Sequence, residues 1–126
     1  MKIVLATHNE HKCAEMSALL SNFSIDILSL EDFSEIGEII EDGTTLEENA
    51  LIKARTVHAK TGLNAWADDT GLEVDALDGK PGIFSARYAG ENCSYSENVQ
   101  KLLQKMENIP TDQRIAHFKT AIALVG

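Results

Sequence analysis

The chain has 126 residues, 44% hydrophobic and 25% charged, a length and composition that predict a single α/β domain spanning residues 1–126. Its formal net charge of −9 argues against nonspecific binding to nucleic acid or to an anionic membrane, and no apolar run approaches the roughly 18–20 residues that span a bilayer. The two cysteines lack metal-ligand spacing and the first residues form no signal core, so we expect free thiols and a cytoplasmic protein.

The first part of the chain alternates strand and helix patterns. The apolar run at residues 3–6 predicts a buried strand, and residues 25–28 predict a second strand packed beside it. Between them, apolar positions from residue 13 to residue 20 have helical spacing. Residues 31–43 are acidic and irregular, and we expect most of their carboxylates to form a solvated face.

Two capping boxes predict the starts of the next helices. Thr45 is a typical N-cap residue and Glu48 follows three positions later, so a helix is expected to begin there and to stop at Gly62. Ser94 and Glu97 have the same spacing and predict the start of a third helix.

Strand patterns fill the remaining segments. Residues 63–67 predict a third strand that ends at the adjacent carboxylates Asp68 and Asp69, and residues 72–76 predict a separate short strand. The apolar alternation at residues 116–125 predicts a last strand. This order of strands and helices predicts one α/β layer structure.

Thr7, Asn9 and Lys12 lie between the first strand and the first helix. Free backbone N–H groups and the positive end of a helix make a phosphate site there, and Lys12 lies one turn inside the helix as a point charge. The alternative is an N-capped helix with a surface lysine.

Lys53 is the second candidate cation. Asn49 and Lys53 are four residues apart on one helix face, next to the apolar stripe, so Lys53 is placed to reach into a cleft. The alternative is a surface lysine whose stem alone is buried.

Asp68 and Asp69 form the strongest single signal. Neighbouring carboxylates at a strand end repel each other unless a cation such as Mg²⁺ lies between them and a substrate phosphate. Glu41, in the irregular segment, is a further candidate ligand. The alternative is a polar turn in which one aspartate caps a glycine. Together with the two lysines, these carboxylates predict metal-assisted cleavage of a nucleoside triphosphate.

Four sequence blocks resemble the Ham1/RdgB family of inosine triphosphate pyrophosphatases. They occur in the family's order and cover most of the chain. The blocks are T/S-x-N-x-x-K at residues 7–12, E-T-G…E-N-A…K-A at residues 41–54, D-D-S/T-G-L at residues 68–72, and P-G-I-x-S-A-R-Y at residues 81–88.

The resemblance implies an ITPase-like fold, with a mixed central sheet flanked by helices, and Mg²⁺-dependent hydrolysis of ITP, dITP and XTP to the monophosphate and pyrophosphate. It implies a homodimer, no nucleic-acid partner and no membrane partner. Carried over by position, Asp69, Asp68 and Lys53 are catalytic, Asp69 helping to activate water, and Glu41 and Asp69 hold the metal. Substrate contacts are implied for Thr7, Asn9, Lys12, Lys53, Thr70 and Arg87.

The resemblance also implies that this chain corresponds to the N-terminal two-thirds of the family's domain. Family members continue with a G-G-F-G-Y-D-P segment and a late S-H-R segment that recognise the base, and neither occurs here. Two alternatives stay open. One is a Maf-like pyrophosphatase acting on a different nucleotide, although residues 9–12 do not match the Maf opening loop. The other is a truncated, inactive fragment that binds phosphate or a partner.

Overall fold

The computed structural model describes all of residues 1–126 and confirms the α/β class. Helices alternate with strands along most of the chain, as the apolar periodicities predict. The strands are β1 (Lys2–Leu5), β2 (Asp26–Ser29), β3 (Asn64–Val74), β4 (Lys80–Gly82) and β5 (Ala116–Val125), and the helices are α1 (Glu10–Leu19), α2 (Leu46–Thr61) and α3 (Tyr95–Lys105). No helix is both long enough and apolar enough to cross a membrane.

The chain divides into two compact units. The first consists of residues 1–69 with residues 121–126, and the second of residues 70–120. The expectation of a single domain over residues 1–126 stays a prediction.

Parallel pairing around β1 builds the first unit. Ile3 pairs with Ile27 of β2 on one side and with Asn64 of β3 on the other. Strands paired in parallel on both edges are normally buried on both faces, and accordingly Ile3, Val4 and Leu5 are all buried. The apolar stripe of α2 adds Leu46, Ala50, Ala54 and Val57 to this core.

Strand β3 corrects one expectation. The sequence predicts two strands separated at Asp68 and Asp69, whereas β3 runs without interruption from Asn64 to Val74. Its first residues pair with β1, its last residues pair antiparallel with β4, and β5 pairs with it as well. The polar stretch lies between the pairing with β1 and the pairing with β4, and it does not end the strand. The two carboxylates therefore lie within β3, shortly after its pairing with β1 ends at Trp66.

The irregular acidic segment is more ordered than predicted. Residues Leu30–Ile36 form 3₁₀ turns with a kink at Phe33, and Leu30 and Ile36 are buried. These two apolar side chains anchor a segment whose composition suggests only a solvated face. The residues that follow, up to Thr44, carry Glu41.

The capping box of α2 forms only in part. Thr45 Oγ1 accepts from the Glu48 amide at 3.0 Å, as predicted. The reciprocal half is displaced by one residue, because Glu48 accepts from the Thr44 amide at 2.6 Å instead of from Thr45. Hydrogen bonds from the backbone amide and the hydroxyl of Thr44 lower the pKa of Glu48. The box at α3 is complete, with Ser94 and Glu97 bonding each other's amides.

Thr45→Ala is expected to lower the free energy of unfolding by about 1 kcal/mol, because the Glu48 amide loses its side-chain acceptor. Urea unfolding followed by far-UV circular dichroism measures the change. The control is Ser17→Ala, which removes an exposed hydroxyl from the body of α1 and should change the free energy by less than about 0.5 kcal/mol. Equal losses in both variants would contradict the capping role of Thr45.

The second unit leaves much apolar surface exposed. Helix α3 has no buried residue, and Leu103 and Phe118 are 58% and 77% exposed. A groove of about 300 Å³ lies beside this surface, lined among others by Leu72, Tyr88 and Leu102. Exposed apolar area of this kind is typical of a surface that another polypeptide covers.

Candidate functional site

The turn between β1 and α1 is closed by its own side chains. Asn9 Oδ1 accepts from the His11 and Lys12 amides at 3.0 and 3.2 Å, and Thr7 Oγ1 accepts from the Asn9 amide at 3.1 Å. The expectation of free amides at this helix start is therefore wrong for His11 and Lys12, because a good N-cap residue occupies them. Thr7 and Asn9 instead border a cavity with their side chains.

Lys12 is held by a carboxylate. Its Nζ donates to Asp68 Oδ2, although the two residues are 56 positions apart in the chain. The Asp68 side chain is only 6% exposed, so removing this carboxylate from water is costly without a cation nearby. Lys12 therefore forms an ion pair with the first of the two adjacent aspartates and does not extend freely into solvent.

Lys53 joins two acidic residues from different elements. It extends from α2 with a side chain 15% exposed, donates to the backbone oxygen of Asp68 and lies 3.3 Å from Glu41 Oε1. The alternative of a lysine with a solvated ammonium group is wrong, since both partners hold that group next to the core.

Asp69 has a carboxyl group that is hard to ionise. Burial is the main cause and raises its pKa, and the charges of Glu41 and Asp68 act in the same direction. Lys53 and a hydrogen bond from the Asn49 side chain oppose the rise, but they do not cancel it. A carboxyl with a raised pKa, next to a lysine and another acid, is a candidate for proton transfer or cation binding.

Two carboxylate oxygens are left without partners. Asp68 Oδ1 and Asp69 Oδ2 are buried and accept no hydrogen bond. Buried polar atoms are almost always paired, so orphaned oxygens on adjacent aspartates indicate a missing cation or donor. No group of three or more His, Cys, Asp or Glu side chains forms a complete metal cage. Mg²⁺ fits such an incomplete set, because it commonly binds one or two carboxylates and takes its other ligands from water and substrate phosphates.

An open cavity of about 350 Å³ adjoins these groups and is large enough for part of a nucleotide. Its rim combines the β1–α1 turn, the acidic segment and α2. It is lined by Ala6, Thr7, His8, Asn9, Leu30, Glu38, Ile39, Glu41 and Lys53. Four of the residues predicted from the sequence therefore share one cavity, and Lys53 connects it to Asp68 and Asp69.

Thr70 and Arg87 belong to the second unit. Thr70 Oγ1 hydrogen-bonds Thr120 Oγ1 at 2.9 Å, and the Arg87 guanidinium lies 5.1 Å from the centre of the Phe84 ring. Arg87 is exposed, on a short turn after β4. Their contacts within this unit give both residues a structural explanation, and their substrate contacts stay predictions.

Asn49 was predicted to share a helix face with Lys53 but was assigned no role in the site. It is 2% exposed and it bonds both the Gly43 amide and Asp69. The available signal was its position, four residues before Lys53 on the same helix face. A polar side chain on an apolar stripe needs a partner, and here it has two.

The raised pKa of Asp69 predicts a pH-dependent stability. An acid with a folded pKa above its ordinary 3.8 stabilises the fold below that value, and the stability is lost as the pH rises through the folded pKa. We therefore expect Asp69→Asn to raise the melting temperature at pH 7 and to raise it much less near pH 4. Thermal unfolding at both pH values tests this. Asp26→Asn, on the exposed side of β2, controls for the loss of one negative charge; an equal gain in this variant would contradict the assignment to Asp69.

The model of the Ham1 family matches residues 3–126. The chain belongs to the Ham1 family. That match covers nearly the whole chain and includes all four sequence blocks. The predicted fold, a mixed central sheet flanked by helices, is confirmed.

Relatives of this Ham1-family chain include enzymes named dITP/XTP pyrophosphatase. The one from Geobacter sulfurreducens is 52% identical over 123 residues, and the match covers 98% of this chain and 62% of the relative. The one from Thermoanaerobacter pseudethanolicus is 48% identical over 125 residues, covering 99% of this chain and 63% of the relative. The chain therefore spans somewhat less than two thirds of the length of these relatives.

Solved structures agree with this placement. A Ham1 protein from Coxiella burnetii superposes with a TM-score of 0.91 at 45% identity, covering 98% of this chain and 62% of that one. A nucleoside-triphosphatase, or dITP/XTP pyrophosphatase, from Mycobacterium abscessus has a TM-score of 0.86 at 44% identity, covering 99% and 65% respectively.

Proposed function

We propose that this Ham1-family chain belongs to a pyrophosphatase that hydrolyses non-standard purine nucleoside triphosphates, namely dITP, XTP and ITP, to the monophosphate and pyrophosphate. The observation that carries the proposal is the cluster of Lys12, Lys53, Glu41, Asp68 and Asp69, in which two buried carboxylate oxygens have no partner. The names of the relatives supply the substrate class.

Positive charge in the cluster suits a triphosphate. Lys53 is held between the Asp68 backbone oxygen and Glu41 at the cavity wall, where it can neutralise phosphate oxygens without reorganising. Thr7 and Asn9 border the same cavity and offer a hydroxyl and an amide to the phosphates. Substrate contacts of Thr70 and Arg87, which belong to the second unit, are a separate proposal that rests on the family resemblance.

Glu41 and Asp69 are the proposed ligands of a divalent cation, which we take to be Mg²⁺. When bound, Mg²⁺ supplies positive charge to the phosphate oxygens and increases the acidity of water. The orphaned oxygen of Asp69 and the half-buried carboxylate of Glu41 are the hard ligands that such an ion prefers.

Asp69 is the proposed acceptor of the water proton. A carboxylate can accept this proton, and the burial of its Oδ2 atom keeps the group in place. Attack of water on the α-phosphorus breaks the bond to the β-phosphate, and pyrophosphate leaves. Asp68 supports this arrangement by holding Lys12 through its side chain and Lys53 through its backbone.

The proposal extends to assembly and location. Exposed apolar residues such as Leu103 and Phe118 support a homodimer, which sedimentation velocity tests by mass. Leu103→Glu should then shift the population toward the monomer, whereas the neighbouring Gln104→Glu should not. Both cysteines are free thiols, which suits the proposed cytoplasmic location.

A pyrophosphate-release assay tests the proposed reaction. Incubation with Mg²⁺ should release pyrophosphate from dITP and XTP and much less from dGTP, with the full-length Geobacter relative as a parallel positive control. Faster release from another nucleotide would favour the Maf-like alternative. Binding of tripolyphosphate without any pyrophosphate release would favour the inactive-fragment alternative.

A further inference from the structure

Asn49 connects two segments that carry the proposed metal ligands. Its side chain is 2% exposed, at the fourth position of α2. Its Oδ1 accepts from the Gly43 amide at 2.8 Å, and hydrogen bonding from its side chain opposes the rise in the pKa of Asp69. A single side chain thus contacts the loop two residues beyond Glu41 and the carboxylate of β3.

Gly43 is fitted closely against this side chain. A Cβ at position 43 would lie 2.7 Å from Asn49 Oδ1 and 2.7 Å from Glu48 Cβ. Carbon atoms do not approach at such distances, so any larger residue would push the loop away from α2. The loop can therefore reach Asn49 only with glycine at this position.

Helix α2 is a suitable support for this connection. Ala50 and Ala54 are fully buried on this helix, so Asn49 is fixed on a packed face. Lys53 extends from the same face one turn later and lies against Glu41. A side-chain amide can accept from a backbone N–H through its oxygen and donate to a carboxylate through its nitrogen at once.

We propose that Asn49, supported by Gly43, is a positioning residue that sets Glu41 and Asp69 at the separation a divalent cation requires. This inference rests on the proposed function, because it assumes that the two carboxylates share a cation. Outer residues of this kind orient ligands, and their loss typically lowers metal affinity by about 10- to 100-fold.

Direct titration with Mn²⁺, followed by electron paramagnetic resonance at 25 °C, tests the inference without depending on turnover. Asn49→Leu, which keeps the size but removes both hydrogen bonds, should raise the Kd for Mn²⁺ by about 10- to 100-fold. Gly43→Ala should raise it as well, by displacing the other end of the connection. Melting temperatures establish that each variant is folded at 25 °C.

Thr45→Ala is the matched control, because it weakens the start of the same helix without touching either carboxylate. Its Kd should stay within about twofold of the unmutated chain. A folded Asn49→Leu or Gly43→Ala variant with an unchanged Kd would overturn the positioning role. Asp69→Asn separates the two proposals: if the unmutated chain binds no Mn²⁺, or Asp69→Asn retains its binding, the metal assignment itself is wrong and the inference fails with it.

Discussion

If Asp69 has the proposed role, Asp69→Asn is expected to lower the rate of pyrophosphate release from dITP by about 10³-fold, the loss typical of removing a positioned base. Asparagine keeps the size of the side chain, but it cannot accept the water proton and is a weaker ligand for Mg²⁺. The KM for dITP should change much less than kcat, because Lys53 and the cavity residues remain.

The same substitution removes an ionised carboxyl whose burial is unfavourable. The rate of pyrophosphate release should therefore fall while the melting temperature at pH 7 rises. This combination distinguishes loss of chemistry from loss of fold. Pyrophosphate release and melting temperature are measured on one preparation at pH 7. Asp26→Asn should retain full activity. A large loss of activity accompanied by unfolding of Asp69→Asn would contradict the role assigned here.

Lys12→Met is expected to lower the free energy of unfolding by about 2 kcal/mol, because it leaves the Asp68 carboxylate buried without its cation. We expect less than for a fully buried pair, since the Lys12 side chain is 34% exposed. Methionine retains the length of the side chain, so the change reports mainly the lost charge. Urea unfolding at pH 7 measures it.

A double-mutant cycle with Asp68→Asn isolates the pair. Once Asp68 is neutral, Lys12→Met should cost little, and the difference between the two costs is the coupling energy. Lys2→Met, an exposed lysine at the start of β1, should change the free energy by less than about 0.5 kcal/mol. A coupling energy near zero would show that Lys12 does not compensate the buried carboxylate.

Local patterns were sufficient for most of the fold. The strands β1 and β2 and the helix α2 follow from apolar periodicity, and Gly62 ends α2 in the left-handed conformation, with φ +72°. The division of β3 at Asp68 was wrong because a polar pair resembles a turn when neighbouring strands are unknown. Strand β3 pairs with β1 just before this segment and with β4 just after it, and the pairing with β1 joins residues far apart in the chain.

The sequence predicted which residues form the site better than it predicted how they are arranged in space. Lys53 was correctly placed on the face of α2 next to the core, because helical spacing is a local property. The pairing of Lys12 with Asp68 spans 56 residues and has no local signature. The closed turn at Asn9 agrees with the alternative of an N-capped helix, which stayed open because Asn9 suits a helix cap and a phosphate contact equally well.

By itself, the sequence determined the α/β class, the Ham1 blocks and the identities of the lysines and carboxylates available for chemistry. These depend on residue type and on spacing within one helix or strand. Tertiary structure alone decided that Asp68 and Asp69 lie inside a continuous strand. It also decided that Lys12 pairs with Asp68, and that Lys53 pairs with Glu41 and the Asp68 backbone. Likewise, it alone brings Asn49 to the loop after Glu41 and to Asp69. The reason is physical. The free-energy cost of a charged side chain depends on its burial and on partners that are distant in the sequence, and the residues next to it along the chain determine neither.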